Sequence, residues 1–468
     1  MVGLQMEHIP NYCCGYFRSD GKQHILLDPD GRPCASGCFL APSEVRSAKR
    51  ELLTIQRRLN ALPLEAVLDF LQRLPAFLVS QYDVDLVAKL SGSNQSSIVH
   101  SLERRVAYCS DIRECLGDIK RGEDKADSKG PSQAFKQVDL PGGPVIAVLP
   151  KNSDEEAFYV IVQALLSRCV CLVRCPSSGF SSLPAIFLAR AMSQLAGASN
   201  KPEDHLIASS FCVLNTERGG DDNAFIRNLF MPDAAWVLFG TSATVSALQS
   251  EIRKIGPARR ILEFGSGFGI AIVSADADID NAASEIAEGI TFNNGNECIG
   301  TKLIYVHQSV RDAFVGRLKQ LCGSFDRNGP WGKMTQSKYD SIKRSTGQRA
   351  TDGYVQNEAP SIESVRLCDT PDSKLLIVPA PLASVYCYDG VEDLTQQIIE
   401  HLQQSEVNRP LSLSLFCGEY NALSESLVPS VKPYVLKKNR STHRMNMMSP
   451  HQGVVLWKEF LETVTCEV

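Results

Sequence analysis

The sequence predicts an α/β fold built on a doubly wound parallel sheet, and three observations predict it. Through the middle third, short strand-like apolar runs alternate with amphipathic runs of helix length, the pattern of β-α-β units. The alternation returns beyond Gly269 in a second block, which implies a second α/β domain. The chain has 468 residues, enough for two or three domains with sizeable cores.

The elements follow in order. Residues 1 to 41 read as loop-rich, with Asp28-Pro29-Asp30-Gly31-Arg32-Pro33 a strong turn signal. Cys13, Cys14, Cys34 and Cys38 lie here, but Cys-x3-Cys without partnered histidines is a poor zinc pattern, and no metal is assigned. Helices are expected at Ser43–Leu59, Pro63–Gln81 and Ser97–Cys115, where apolar residues recur every three or four positions. Gly122–Pro131 is charged and glycine-containing, an exposed loop. Strands are expected at Val145–Leu149, Cys169–Val173, Phe211–Leu214 and Ala235–Phe239, with helices Glu155–Leu166 and Ser181–Leu195 between them. Parallel pairing with right-handed crossovers follows, and ligands of such sheets bind beyond the carboxyl ends of the strands. In the second block, Ile270–Val273, Thr301–Val306, Ser373–Pro379, Ala383–Tyr388 and Leu411–Phe416 read as strands. Ala282–Ile290, Val310–Leu321, Leu394–Gln404 and Leu456–Val464 read as helices.

Composition excludes several classes. Hydrophobic and charged fractions of 44% and 22% are those of an ordinary globular protein. A net charge of −5 carries no nucleic-acid footprint. The longest apolar run, Ala157–Val173, is interrupted by Gln163, Ser167 and Arg168, so no membrane span is expected. The 16 cysteines are scattered, and Met1–Asn11 is neither basic nor followed by an apolar segment, so reduced thiols and a cytoplasmic location are expected.

Arg260–Val306 carries the chemistry. A carboxylate, Glu263, opens it. Cys298 nearly closes it, at a polar turn (Thr291–Ile299) just before a strand, where a side chain is held and still reached. One of Asp276, Asp278 and Asp280 is placed to cap the intervening helix. A positioned thiolate is a strong nucleophile, and a carboxylate beside it takes a proton or activates water. None of the eight histidines adjoins either residue in the chain (His307 is nearest), so a Cys–His pair has no support. Gly265-x-Gly267-x-Gly269 precedes a strand, so it is not a dinucleotide fingerprint.

Glu263-Phe264-Gly265-Ser266 and Phe292-Asn293-Asn294-Gly295-Asn296-Glu297-Cys298, joined by Ala-Asp-Ala-Asp-Ile-Asp, resemble the signature region of the aldehyde dehydrogenase superfamily. There a Glu-Leu-Gly-Gly motif carries the general base and Phe-Asn-x-Gly-x-x-Cys the nucleophile; the spacing here is one residue longer. Pro150-Lys151-Asn152 falls where the family has Pro-Trp-Asn, whose Asn amide stabilises the oxyanion. Val173-Arg174-Cys175-Pro176-Ser177 falls at the family's ribose-binding Leu-Lys-Pro-x-Glu, and Phe239-Gly240-Thr241-Ser242 at its Thr-Gly-Ser turn near the diphosphate. Asn408–Ser412 falls at its Tyr-Gly-Leu segment. Lys151, Arg174 and Ser177 depart from the family residues, and Val378–Leu382 stands where its Glu-x-Phe-Gly-Pro motif would be.

The resemblance implies an aldehyde-dehydrogenase-like fold. A cofactor-binding domain covers 1–120 and 142–260, a catalytic domain 261–435, and an oligomerisation arm 121–141 and 436–468. It implies catalytic Cys298, Glu263 and Asn152, with Pro150, Lys151, Arg174, Ser177, Gly240 and Thr241 at the cofactor. NAD or NADP is implied. The exchange of the ribose Glu for Ser and of Lys for Arg favours NADP. The implied partners are a small aldehyde and further copies of the chain, as a homodimer or homotetramer, with no nucleic acid or membrane. Two other readings share the thiol chemistry or the fold: an acyl-thioester (acyl-CoA) reductase, and a catalytically weak binding subunit.

Overall fold

The structure is a computed structural model that describes residues 6–116, 135–151, 155–176, 182–216, 224–346, 361–368, 375–405, 410–443, 452 and 454–467. Five short strands open it: β1 (Glu7–Ile9), β2 (Asn11–Cys13), β3 (Tyr16–Arg18), β4 (Lys22–Leu27) and β5 (Pro33–Phe39). This region was expected to be loop. The sequence hides its strands because they are short and mix exposed positions with buried Cys, Ala and Gly. Cys13, Cys14, Cys34 and Cys38 are all buried in this core, and Cys38 Sγ accepts from the Asn11 amide at 3.2 Å.

Helices Pro42–Leu59, Leu64–Arg73, Pro75–Gln81, Val84–Ser91 and Gln95–Ser110 follow. The expected helix Pro63–Gln81 is split because Pro75 cannot continue a helix and instead starts the next one. Val84–Ser91 was not anticipated, yet its ends are marked. Asp83 accepts from the Leu86 N–H at 2.9 Å, and Gly92 ends the helix at φ +74°.

Strands β6 (Phe135–Pro141), β7 (Val145–Val148), β8 (Cys171–Cys175), β9 (Phe211–Asn215), β10 (Ala235–Phe239) and β11 (Arg260–Phe264) come next. The first large sheet has the order β11-β10-β7-β8-β9-β2-β3. Strands β11 to β9 pair in parallel; β2 joins β9 antiparallel, Tyr12 opposite Val213. Every residue of β7, β8, β9 and β10 is buried, which is why they read as continuous apolar runs. Helices Glu156–Leu166 and Ser182–Gly197 pack into the same core.

The second half contributes β12 (Gly269–Val273), β13 (Thr301–His307), β14 (Ser324–Phe325), β15 (Ile362–Glu363), β16 (Val365–Leu367), β17 (Ala383–Tyr388), β18 (Ser412–Phe416) and β19 (Val435–Lys438). Six of these form a fully parallel sheet, β16-β17-β13-β12-β18-β19. Since β19 extends to Lys438, this sheet runs past the expected boundary at 435. Residues 375–378 are not a strand, contrary to expectation. Leu456–Val464 is not one helix either. A single turn, Leu456–Glu459, gives way to β20 (Leu461–Glu467), which pairs antiparallel with β6 along its whole length. Gly122–Pro131 lies outside the described residues.

The two halves are stitched at Gly92 and Ser93. The Lys333 N–H donates to the Gly92 carbonyl, Ser93 bridges Gly332, and Asp30 bonds both Arg327 and Lys333. A Cβ at Gly92 would lie 2.1 Å from the Lys333 oxygen, on a backbone that L side chains rarely adopt. Gly92→Ala is therefore expected to cost about 1–3 kcal/mol. Denaturant unfolding measures it; a variant with an unchanged midpoint would remove this contact from the account of the seam.

Candidate active site

The thiol loop is built from a backbone that few residues tolerate. Helix Ile279–Thr291 starts where the Asp278 side chain accepts from the Asn281 N–H at 3.1 Å. It ends in a tight turn, Phe292–Gly295. There Asn293, Asn294 and Gly295 adopt positive φ in succession, 48°, 53° and 67°. Asn and Gly are the residues that enter this region at least cost.

Side chains from four directions hold the turn. Asn293 bonds Ser93, and its amide donates to Glu297 at 2.7 Å. The Asn296 amide donates to the Asn293 carbonyl at 2.8 Å, and Lys338 bonds Asn296. Buried Lys302, on β13, donates to the carbonyls of Gly295 at 2.9 Å and Ala380 at 2.6 Å. A Cβ on Gly295 would lie 2.1 Å from Ala380 backbone atoms. Burial, reinforced by the Lys338 ammonium, pushes Lys302 down to about 7. Burial pushes Lys338 down to about 8.

Cys298 stands at the end of this loop, partly exposed. Burial of its sulfur pushes the thiol well above its ordinary range, and the Glu297 and Glu156 carboxylates push the same way. The backbone N–H groups of Cys298 and Ile299 oppose them.

The other expected site residues divide into three groups. Pro150, Lys151, Arg174, Gly240 and Thr241 come together at one edge, because β7, β8 and β10 are parallel and end in register there. Lys151 and Thr241 are exposed. The Thr241 hydroxyl accepts from the Thr244 N–H at 3.2 Å, capping helix Ser242–Ile255. Arg174 is buried, with its guanidinium 4.5 Å from the Phe225 ring centre and its Nε donating to the Thr216 hydroxyl at 3.4 Å. Glu263 is exposed on the edge strand β11, and its carboxylate accepts from the Gln249 amide. Beside the thiol loop the chain also approaches at Gly269, where a Cβ would lie 2.5 Å from the Ile299 oxygen. Asn152 and Ser177 lie outside the described residues.

Sequence reasoning missed Ser93, Lys302, Lys338 and His443. A histidine does reach the loop: His443 stacks on Phe292 at 4.6 Å between ring centres. The only sequence signal was a Lys inside an otherwise apolar strand, at Lys302.

The aldehyde dehydrogenase family matches residues 85–337, and the chain belongs to that family. Aldehyde dehydrogenase [NAD(P)+] 2 of Saccharomyces cerevisiae is 33% identical over 138 residues, which is 26% of each chain. A 2-hydroxymuconic semialdehyde dehydrogenase of Pseudomonas putida is 26% identical over 256 residues, 54% of this chain and 50% of that one. The chain thus spans from about a quarter to a half of these curated relatives. The fold extends over the whole chain. A salicylaldehyde dehydrogenase structure from Pseudomonas putida G7 superposes with a TM-score of 0.76 at 14% identity, covering 99% of both chains. The structure of 3,6-anhydro-L-galactose dehydrogenase in complex with NAP gives 0.74 at 16% identity, covering 98% of this chain and 99% of that one. The aldehyde dehydrogenase fold, expected from the motifs, is the fold observed.

Lys302 gives a pH-dependent prediction. Its folded value, about 7, lies below the unfolded lysine value of about 10.4, so between them the unfolded chain binds more protons. Its contribution therefore makes stability rise with pH across that window. Lys302→Met leaves two buried carbonyls unpaired, at about 1–3 kcal/mol each, and removes that rise. Chemical denaturation at several pH values from about 7 to 9 tests both effects. A variant whose stability parallels the wild type across the series would show that Lys302 does not titrate in this range.

Proposed function

We propose that the protein oxidises a small aldehyde to the carboxylic acid, with NAD or NADP as acceptor and Cys298 as nucleophile. One observation supports this most strongly. The Cys298 loop is conformationally costly, is held by hydrogen bonds from Ser93, Lys302 and Lys338, and leaves its thiol partly exposed. Strained, over-determined backbone of this kind belongs at functional sites.

The dinucleotide fits the edge formed by Pro150, Lys151, Gly240 and Thr241. The N-terminus of the 14-residue helix Ser242–Ile255 suits a diphosphate there. Bound, it supplies the hydride acceptor. The protein's residues do the rest. The Cys298 thiol gives its proton to water in the crevice as its sulfur bonds the aldehyde carbon, giving a thiohemiacetal whose oxyanion is stabilised by the Cys298 N–H and the Asn152 amide. Loss of hydride leaves a thioester on Cys298. Glu263, released from Gln249, takes a proton from water, which attacks the thioester and frees the acid and the thiol. Arg174, beneath the ribose region, favours the additional phosphate of NADP. The β6–β20 ribbon stands apart from both large sheets and supports an arm comprising 121–141 and the segment after Lys438, in a homodimer or homotetramer. A cytoplasmic location agrees with the free thiols; among the described residues no helix is long and apolar enough to cross a membrane.

Cys298→Ala is expected to lower aldehyde-dependent formation of reduced cofactor by several decades without changing the fold. Glu263→Gln is expected to give one equivalent of reduced cofactor in a burst, then slow turnover. Near-normal turnover in Cys298→Ala ends the covalent scheme. Acceleration by added coenzyme A with release of an acyl-CoA favours the thioester reading, and no turnover with any aldehyde or acyl-CoA favours the binding subunit.

Cofactor choice has its own test. Arg174→Gln is expected to weaken NADP more than NAD, by about tenfold in KM ratio or more, since one charge-assisted phosphate contact is lost. Equal changes for both cofactors would place Arg174 away from the 2′-phosphate.

A further inference from the structure

Behind the thiol loop, three side chains from separate parts of the chain converge. His100 projects from helix Gln95–Ser110, Glu288 from helix Ile279–Thr291, and His443 from the turn after β19. One donor atom from each lies within 4.8 Å of the others. The Glu288 carboxylate is 3.2 Å from His443 Nε2 and 3.9 Å from His100 Nε2. We propose that His100, Glu288 and His443 bind a divalent first-row transition ion of the zinc type, with water completing its shell. The site is separate from the thiol chemistry and braces the loop from behind.

The buried histidine carries the argument. His443 is 2% exposed, and its Nε2 has no aligned hydrogen bond although the Glu288 carboxylate is close. Its Nδ1 bonds the Ser441 hydroxyl at 2.7 Å. The tautomer that donates to Ser441 turns an Nε2 lone pair toward a carboxylate. In that tautomer the ring nitrogen and the carboxylate present two acceptors to one point, which a cation between them satisfies. An imidazole fixed through one nitrogen while the other faces a carboxylate is how protein metal ligands are oriented.

The donor set selects the ion. Two imidazoles and one carboxylate suit zinc and its neighbours, whereas magnesium and calcium prefer all-oxygen shells. Tetrahedral bonds of about 2.0–2.1 Å put ligand atoms about 3.3 Å apart. The Glu288–His443 pair already has that spacing. His100 Nε2, 3.9 Å from the Glu288 carboxylate, must close on it by roughly half an ångström, and its side chain, 42% exposed, has room to turn. Glu103, 4.0 Å from His100 Nδ1, stands where an outer carboxylate would orient that ring. Of the neighbouring cations, Arg104 bonds Glu155 while its Nε and Nη1 are buried without a hydrogen-bond partner, and Lys437 donates to the carbonyls of Ser441 and Thr442.

The test uses full-length protein stripped of metal by chelator, with cobalt(II) as spectroscopic probe and zinc as competitor. One equivalent of cobalt is expected to give visible d–d bands without thiolate-to-metal charge transfer, and zinc is expected to displace it and raise Tm. His100→Ala, on a half-exposed helix face, keeps the fold and is expected to weaken binding at least about tenfold and abolish the Tm rise. His443→Gln is expected to do the same, and His100→Ala decides the matter should it unfold. Absence of cobalt binding overturns the proposal. So does binding unchanged in His100→Ala, or a thiolate charge-transfer band showing that one of the 16 cysteines holds the ion.

Discussion

Three consecutive residues in left-handed backbone set the terms for this molecule. Asn293, Asn294 and Gly295 are held where an isolated chain would not stay. Each non-glycine residue there costs on the order of 1 kcal/mol. That cost is offset by hydrogen bonds from Lys302 and by Ser93, Lys338 and the loop's own amides. Lys302 reaches Gly295 because it sits at the start of β13, and β13 is fixed by its parallel register with β12 and β17. The thiol's position thus depends on sheet register. A slip of one residue in β13 would turn Lys302 to the other face and release the turn.

The same dependence joins the halves. Ser93 belongs to the seam that also carries Gly92 and Gly332, and it touches Asn293 directly. Contacts therefore run from the first half of the chain into the second, where the thiol loop lies. Opening the seam and loosening the thiol loop are one event in mechanical terms.

Elements buried on both faces were legible in the sequence. Ala235–Phe239 was placed to the residue and Ile270–Val273 to within one, because strands in such a position must be apolar throughout. The N-terminal strands were hidden by brevity. Leu461–Glu467 was hidden by its partner: β6 lies far away in the chain, and the local spacing of Leu456, Phe460 and Val464 reads equally well as a helix. At the site, the motifs marked Cys298 and the crevice residues. What holds them was not legible. Ser93, Lys338 and His443 sit in ordinary helix and turn contexts, and only the tertiary fold brings them to Phe292–Cys298. Glu263 shows the converse. Its motif was plain, while its position, turned toward Gln249 on an exposed edge strand, followed from the alternation of buried Leu262 and Phe264 around it.

The state of the thiol is the last consequence of this architecture. Burial and two carboxylates hold Cys298 protonated, and two backbone amides oppose them without prevailing. Excluding water from the crevice alone would strengthen the protonated form, since desolvation already dominates. A ligand bearing positive charge near the sulfur would act in the opposite direction, as would protonation of Glu297 or Glu156. The loop therefore favours the protonated thiol. A free cysteine exposed enough to react yet held as a thiol is also protected from oxidants, which attack the thiolate. Rigidity and suppressed reactivity thus have one origin: the close packing that forces the left-handed turn also crowds the sulfur.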